Sequence, residues 1–259
     1  MLYIEQWSGR LGNNILQLLI AIHYACVNNY NVIKFNKHNL LSKCYIYMNN
    51  KDINNNNNNK DNNIIKDTFT SLIKFNILNP EPYIMKAYFQ KYITPIFKIN
   101  NDIDDITSND SLYLHIRSGD LFNKYPHPKY VPPPISYYTN IITNYKKTFI
   151  ISESTSIYNE ILLKNDNIEY IGKNLYEDLI IFANAENIAI GVGTFGLLFY
   201  FMNIKLKNLY IPKYSSDNWL PGDNWGDNIN VYIIDLPNYI KVGEWKNSPE
   251  QLKLMLTYN

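Results

Sequence analysis

Three short segments carry residues that could bind a phosphate group, and each follows an apolar stretch of the chain. They are residues 9–13 (Gly-Arg-Leu-Gly-Asn), 115–120 (His-Ile-Arg-Ser-Gly-Asp) and 191–196 (Gly-Val-Gly-Thr-Phe-Gly). Glycine lets a backbone approach a ligand closely, and a helix that follows such a turn points its positive end toward an anion. An arginine fork makes two charge-assisted bonds to a phosphate and stays protonated near neutral pH. These residue types favour a bound diphosphate.

Residues 115–120 hold the most direct candidates. Alternation along a strand directs His115 and Arg117 to one side, where Arg117 could hold a phosphate and His115 could donate to a phosphate or sugar oxygen. The alternative is structural: Arg117 forms a local salt bridge with Asp120, and His115 is a hydrogen-bonded core histidine. The sequence supports both interpretations equally.

The two glycine turns also have two interpretations. In residues 191–196, backbone N–H groups and the Thr194 hydroxyl could bind phosphate while Phe195 packs against a base or sugar. The structural alternative makes Thr194 the N-cap of the following helix. For residues 9–13, an ordinary turn between a strand and a helix is the more frequent explanation.

The elements that must position these segments follow from the hydrophobic pattern. In the first half we predict a strand over residues 2–7, a helix to residue 27 and a strand over 31–35. Residues 42–63 become polar and repetitive, which indicates an insertion with an Asn-rich loop near 50–63. Short helices over 69–99 and a linker over 100–110 complete the predicted first half.

The second half has a regular alternation of strands and helices. We predict strands at 112–116, 148–152, 167–171, 188–192 and 209–212, and helices at 136–146, 155–164, 175–185, 195–202 and 249–257. Apolar, unalternated strands separated by amphipathic helices indicate a parallel sheet covered on both faces. The sequence therefore predicts an α/β protein with an N-terminal domain over 1–109 and a doubly wound domain over 110–259.

Composition limits the classes of partner. The 259 residues carry a formal net charge of +1 with scattered basic residues, which argues against nucleic acid. The two cysteines, Cys26 and Cys44, have no metal-ligand spacing, and we predict no metal site. Residues 14–27 are apolar but too short to span a membrane and lack the features of a signal peptide, so we expect a cytoplasmic protein without a membrane span.

Taken together, the motifs resemble those of a known enzyme family. Residues 115–120, the strand at 148–152, the Tyr-Glu-Asp-Leu at 176–179 and the segment 190–196 resemble, in order and spacing, the donor domain of α1,2-fucosyltransferases. Residues 9–14 are similar to that family's opening signature, Gly-Arg-Leu-Gly-Asn-Gln. The resemblance covers most of residues 112–214 and the first turn and helix.

The resemblance implies a GT-B-like fold of two facing Rossmann-type domains, the first on the acceptor side and the second binding the donor. It implies an inverting, metal-independent glycosyltransferase that moves fucose from GDP-fucose to a glycan hydroxyl, with no cofactor besides this donor substrate. By resemblance, Arg117 holds the β-phosphate, His115 lies beside it, and Thr194 and Phe195 line the diphosphate. By the same resemblance, Gly9 and Asn13 contribute from the opposite domain.

Candidate residues for the remaining roles rest on chemistry. Inversion needs a base, for which Glu5, Asp120 and Glu153 are candidates; we favour Asp120, although it could equally orient Arg117. Guanine recognition needs a carboxylate, for which Asp178 and Glu153 are candidates, while Glu177 pairs with Asn174 as a helix cap. Asp178 could equally be a surface acid that the helix dipole favours in the first turn. The predicted catalytic residues are Arg117, Asp120 and His115, and the predicted donor-binding residues are Gly9, Arg10, Asn13, Glu153, Asp178, Gly193, Thr194 and Phe195.

Two departures from the family pattern leave other functions open. Ser118 stands where a second arginine is usual, and Asn14 where glutamine is usual. Loss of that arginine removes a cation near the phosphates and puts donor affinity and sugar identity in doubt. The alternatives are a transferase for another nucleotide sugar, a catalytically inactive relative that binds GDP or a glycan, and a domain that binds some other phosphorylated metabolite.

Overall fold

The structure is a computed structural model of the chain, and it describes residues 1–48, 63–65, 80–99, 110–214 and 222–259. The chain divides into two compact units. Unit 1 comprises Met1–Asn100 and Pro221–Gly226, and unit 2 comprises Asn101–Leu220 and Asp227–Asn259. The Asn-rich loop predicted near 50–63 lies outside the described residues except for Asn63, and the linker predicted at 100–110 lies outside them except for Asp110.

Unit 1 contains a four-stranded sheet in the order β3-β2-β1-β4. Its strands are β1 (Leu2–Ile4), β2 (Val32–Phe35), β3 (Tyr45–Tyr47) and β4 (Asn63–Ile65). Strand β1 pairs in parallel with β2 and β4, and β3 is antiparallel to β2. The prediction of a strand to residue 7 is wrong, because β1 ends at Ile4, and the prediction of an insertion from residue 42 is wrong at β3.

Helices complete unit 1. Helix α1 (Leu11–Val27) connects β1 to β2, and its apolar composition fits its burial, with Leu18, Ala21 and Ile22 wholly inaccessible to solvent. Helix α2 (Pro82–Tyr88) continues into a π-helical turn (Phe89–Ile93) and a 3-10 turn (Thr94–Ile96). These turns agree with the short helices predicted within residues 69–99.

Unit 2 contains a six-stranded, entirely parallel sheet in the order β10-β9-β8-β5-β6-β7. Its strands are β5 (Ser111–Ile116), β6 (Lys147–Ser152), β7 (Ile168–Tyr170), β8 (Asn187–Ile190), β9 (Asn208–Tyr214) and β10 (Asn230–Leu236). The chain builds outward from β5 to β7, and then from β8 to β10 on the other flank. This is a doubly wound α/β sheet of the Rossmann type, and its strand order reverses between β5 and β8.

The helices of unit 2 confirm the predicted alternation. They are α3 (Ile135–Ile142), α4 (Ile157–Leu162), α5 (Leu175–Asn184), α6 (Thr194–Met202) and α7 (Pro249–Thr257). Two helix starts follow the capping rules, because Asn174 accepts from first-turn N–H groups of α5 and Ser248 accepts from Gln251 in α7. Strand β10 was not predicted. No described helix is both long and apolar enough to cross a lipid bilayer.

An asparagine ladder fixes the register at the amino-terminal edge of this sheet. The Asn208 side-chain amide donates to the Asn187 side-chain oxygen over 2.7 Å, and the Asn230 amide donates to the Asn208 oxygen over 3.0 Å. These three asparagines are the first residues of β8, β9 and β10. The ladder aligns the three strands at the edge opposite their carboxyl ends.

Buried tyrosines fix the loop between β5 and α3. The hydroxyls of Tyr214 and Tyr239 donate to the carbonyls of Val131 and Pro132 over 2.7 and 3.1 Å, and the Tyr158 hydroxyl donates to the next carbonyl, that of Pro133. Proline lacks a backbone N–H, so this segment cannot pair as a strand, and the tyrosines satisfy its carbonyls instead. The loop that follows Arg117 is therefore held to the core at three consecutive residues.

Candidate functional site

The candidate site lies at the carboxyl ends of β5 and β8, the central strands of unit 2. In open parallel sheets, ligands bind where the strand order reverses, because loops from adjacent strands diverge there and leave a crevice. The order reverses between β5 and β8. The segment 115–120 begins with the last two residues of β5 and continues beyond it, and the segment 191–196 follows β8. The sheet therefore brings together two of the three predicted anion-binding segments.

Two contacts hold the Arg117 guanidinium, one along its edge and one on its face. Its Nε and Nη2 atoms donate to the Asp120 carboxylate over 3.1 and 2.6 Å. The centre of its guanidinium lies 3.9 Å from the centre of the Tyr130 ring, which is a close cation–π contact. The predicted Arg117–Asp120 salt bridge is thus present, and it leaves the guanidinium in a fixed orientation.

Gly193 allows the turn after β8 to approach that guanidinium. Its φ of +106° lies in the region that favours glycine, and a Cβ placed on it would lie 2.6 Å from Arg117 Nη1. Helix α6 begins at the next residue, with Gly193 as its N-cap and no capping side chain. The interpretation of Thr194 as the N-cap is therefore wrong: Thr194 is the first helical residue, and the positive end of α6 adjoins the Arg117 cation.

His115 is buried in an aromatic pocket. Its ring contacts Phe182, Phe195 and Phe199 at centroid distances of 6.1, 5.2 and 5.2 Å, and its Nδ1 atom has no hydrogen-bond partner. The expectation of a core histidine is confirmed, but that of a fully hydrogen-bonded one is wrong. Burial, reinforced by the charge of Arg117, lowers the pKa of His115 from 6.5 to about 3. His115 is therefore a neutral imidazole near neutral pH.

The buried neutral His115 predicts a loss of stability in acid. In the unfolded chain this histidine binds a proton below about pH 6.5, whereas in the folded chain it binds one only below about pH 3. The free energy of unfolding therefore falls as the pH drops from 6.5 to about 3. Between pH 7 and 5 we expect this residue to cost about 2 kcal/mol. Urea unfolding of the wild type and of His115→Leu at both pH values measures the difference. If the free energy of unfolding changed equally with pH in the two proteins, His115 would not be buried as a neutral imidazole.

Ser118 connects the loop after β5 to the loop after β6. It is fully buried, its Oγ donates to the Ser154 carbonyl over 2.8 Å, and it accepts from the Ser154 N–H over 3.0 Å. Residue 118 therefore has no space for the second arginine usual in the resembled family. Its neighbour Gly119 has φ +61°, and a Cβ there would lie 3.5 Å from a Glu153 carboxylate oxygen.

Asp178 lies in the first turn of α5. Asn174 caps this helix, accepting from the N–H groups of Tyr176 and Glu177 and donating to the Glu177 carboxylate, which confirms the predicted pairing. An Asp178 oxygen accepts from the Lys173 N–H over 3.0 Å. Burial raises the pKa of Asp178, and the nearby Glu177 charge adds to this effect. Its assignment to guanine stays a prediction.

The third predicted segment belongs to unit 1. Gly9 has φ +70°, in the region that favours glycine, and a Cβ there would lie 2.4 Å from the Asn13 side-chain nitrogen. The Asn14 amide donates to the Ser8 carbonyl over 2.8 Å, and its oxygen lies 3.3 Å from His38 Nε2. Asn14 thus stabilises the turn itself. Gly9, Arg10 and Asn13 lie at the N-terminal end of α1, and their donor-binding role stays a prediction.

Tyr130 belongs to the candidate site, but the sequence does not mark it. It lies in a proline-containing loop, and no residue pattern marks an aromatic ring that stacks on an arginine thirteen positions earlier in the chain. The ring is held because the next three residues are those whose carbonyls accept the tyrosine hydroxyls. Only the folded loop shows this contact.

Comparisons with known proteins add no assignment. No family model, no curated protein and no solved structure matches the chain. Among the described residues, no group of three or more His, Cys, Asp or Glu side chains is arranged to hold a metal ion.

Proposed function

We propose that the protein is a metal-independent glycosyltransferase that uses a nucleoside diphosphate sugar, with GDP-fucose as donor and a glycan hydroxyl as acceptor. The observation that carries this proposal is the approach of Arg117 to Gly193 at the start of α6, where the strand order of unit 2 reverses. A fixed cation and a helix N-terminus at one place are suited to a diphosphate. The resemblance of residues 115–120 and 190–196 to α1,2-fucosyltransferases supplies the choice of donor.

The arrangement can supply the electrostatic part of the reaction. Transfer of the sugar leaves negative charge on the departing diphosphate, and positive groups that are already in place stabilise this charge without reorganisation. Asp120 and Tyr130 hold the Arg117 guanidinium before any ligand is present. In this mechanism Arg117 binds the β-phosphate, and the N–H groups of α6 contribute from the adjacent turn.

Asp120 fits a positioning role better than that of a base. Both of its carboxylate oxygens already accept from Arg117, which orients the cation. We therefore assign Asp120 to the orientation of Arg117. Glu5 and Glu153 remain candidates for the base, and the acceptor-side role of unit 1 in a GT-B-like pair of facing domains is part of the same proposal.

A nucleotide panel tests the proposal. A ligand at about 100 times its Kd adds about 2.7 kcal/mol to the free energy of unfolding, so binding is visible as a thermal shift. We expect a shift with GDP, and none with UDP, TDP or ADP, in the presence of EDTA. Release of GDP from GDP-fucose in the presence of a glycan acceptor then tests turnover. Absence of a shift with every nucleotide would overturn the proposal.

A second candidate function is GDP binding without transfer. Burial of Ser118 favours it, because the position of the family's second arginine carries no cation here. A thermal shift with GDP, together with no release of GDP from GDP-fucose over a panel of acceptors, would support this candidate over the transferase.

A further inference from the structure

Unit 2 contains a pocket beside the loop that follows Arg117. Its volume is about 390 Å³, which lies within the range of pockets that hold small ligands. One side is formed by the turn Gly119–Phe122, a second by residues 154–157 after β6, and a third by Asn247 and Leu252 at the start of α7. Three segments that are distant in the sequence therefore form its walls.

Hydrogen bonds hold these three segments against one another. The buried Ser118 hydroxyl donates to the Ser154 carbonyl over 2.8 Å and accepts from the Ser154 N–H over 3.0 Å. The Asn247 side-chain amide donates to the carbonyls of Phe122 and Asn123 over 2.9 and 3.3 Å. Because the walls are already fixed in the fold, a ligand does not have to order them when it binds.

Three polar groups that line the pocket can accept hydrogen bonds but have no proton left to donate. The Ser156 hydroxyl donates to Asn159 Oδ1 over 2.9 Å. The Ser118 hydroxyl has given its proton to a carbonyl, so the Ser154 hydroxyl, 3.2 Å away, donates to Ser118. Asn247 Oδ1 is a buried acceptor without a hydrogen-bond partner among the described residues, which is costly unless a donor reaches it. A ligand of this pocket must therefore supply donors.

The rest of the lining indicates an uncharged ligand with an apolar face. None of the described residues that line the pocket is charged, so a carboxylate or phosphate would find no cation there. The side chains of Phe122, Ile157 and Leu252 form an apolar surface on which C–H groups can pack. A pyranose ring has both properties, because its hydroxyls donate and its ring C–H groups form an apolar face.

We propose that this pocket binds an uncharged pyranose residue. The ring C–H groups of the sugar pack on the apolar side chains, and its hydroxyls donate to Ser154, Ser156 and Asn247. Neither Arg117 nor Gly193 lines the pocket, so the sugar has a site separate from the anion crevice. The assignment does not depend on the nucleotide; only the identification of the sugar as one residue of the glycan acceptor rests on the proposed function.

Saturation-transfer NMR of the full chain tests the pocket with three probes, the methyl β-pyranosides of galactose, glucose and N-acetylglucosamine. We expect a Kd on the order of 1–10 mM for at least one probe, as for other ligands of this size. Thr155→Trp places a large side chain in the pocket from an exposed position and should weaken binding by about 10-fold or more. The matched control is Thr139→Trp, at an exposed position of α3 outside the pocket, which should bind as the wild type does.

Two results would overturn the sugar assignment. One is that no probe binds the wild type at concentrations of about 50 mM. The other is that Thr155→Trp binds the probes as tightly as the wild type, because the sugar would then lie elsewhere. Binding to the wild type and to Thr139→Trp, with the expected loss in Thr155→Trp, supports the assignment.

Calorimetric titration of the same proteins with GDP separates this assignment from the proposed function. Thr155→Trp should bind GDP as tightly as the wild type, because the pocket lies outside the anion crevice. Loss of GDP affinity in this variant would assign the pocket to the nucleotide and overturn the sugar assignment, while the proposed function stands. A wild type that binds a sugar probe but no GDP would contradict the proposed function and leave the pocket assignment supported.

Discussion

Arg117→Ala should weaken GDP binding by about 100-fold or more and abolish sugar transfer. In the proposed mechanism Arg117 makes two charge-assisted hydrogen bonds to the phosphate, each worth about 1.5–3 kcal/mol, and the variant loses both. It also removes the cation that faces the Asp120 carboxylate, and this negative charge would then lie close to the proposed diphosphate. Calorimetric titration with GDP measures the first effect, and release of GDP from GDP-fucose measures the second.

The matched control for this result is Lys124→Ala. Lys124 is an exposed cation of the same loop, so its removal changes the net charge equally without touching the crevice. We expect its GDP affinity to stay within about twofold of the wild type, as for other screened surface charges. Circular dichroism should show the same fold in both variants. An Arg117→Ala protein that binds GDP as tightly as the wild type would refute the phosphate-binding role.

Trp245→Ala should lower the free energy of unfolding by about 3–5 kcal/mol. The Trp245 side chain is only 1% exposed, and its indole N–H donates to the Leu121 carbonyl over 2.8 Å. The substitution leaves a cavity and an unsatisfied carbonyl in the 3-10 turn Gly119–Phe122, which directly follows Arg117 and Ser118. Urea denaturation measures the loss.

Trp245→Phe separates packing from hydrogen bonding. Phenylalanine keeps most of the buried ring but cannot donate to Leu121, so we expect a smaller loss of about 1–3 kcal/mol. Equal stabilities for the wild type and the alanine variant would show that this contact contributes nothing to the fold. A loss in the alanine variant alone would assign the whole effect to packing.

The parallel sheet of unit 2 could be predicted from the sequence because its central strands are buried on both faces. Strands such as β5, in which every residue is buried, appear as continuous apolar runs between helices. Strand β10 is different: it is an edge strand with alternating partial exposure, and no helix is described between it and β9. The alternation of strands and helices, on which the prediction relied, therefore did not indicate it.

The residue types of the candidate site could be predicted, but their contacts could not. Arginine, glycine and a helix start are residue types that suit an anion, and the sequence shows Arg117 and Gly193. Their approach depends on β5 and β8 being neighbours, which is a property of strand order. The contacts of Tyr130 and Ser118 depend likewise on how loops distant in sequence pack against each other.

The asparagine ladder fixes the level of β8 relative to β9, and therefore how far the turn after β8 lies below the end of β9. Asn187 and Asn208 are level, yet β8 ends at Ile190 while β9 continues to Tyr214, three residues beyond the level of Ile190. At about 3.3 Å per residue, the carboxyl edge of the sheet steps down by about 10 Å where β8 stops. The turn that contains Gly193 starts at this lower level, and the last residues of β9 extend beyond it on one side. Strand β9 would shield an anion bound at that turn from water on one side. The asparagine ladder at the opposite edge of the sheet sets how far below the end of β9 this anion would lie.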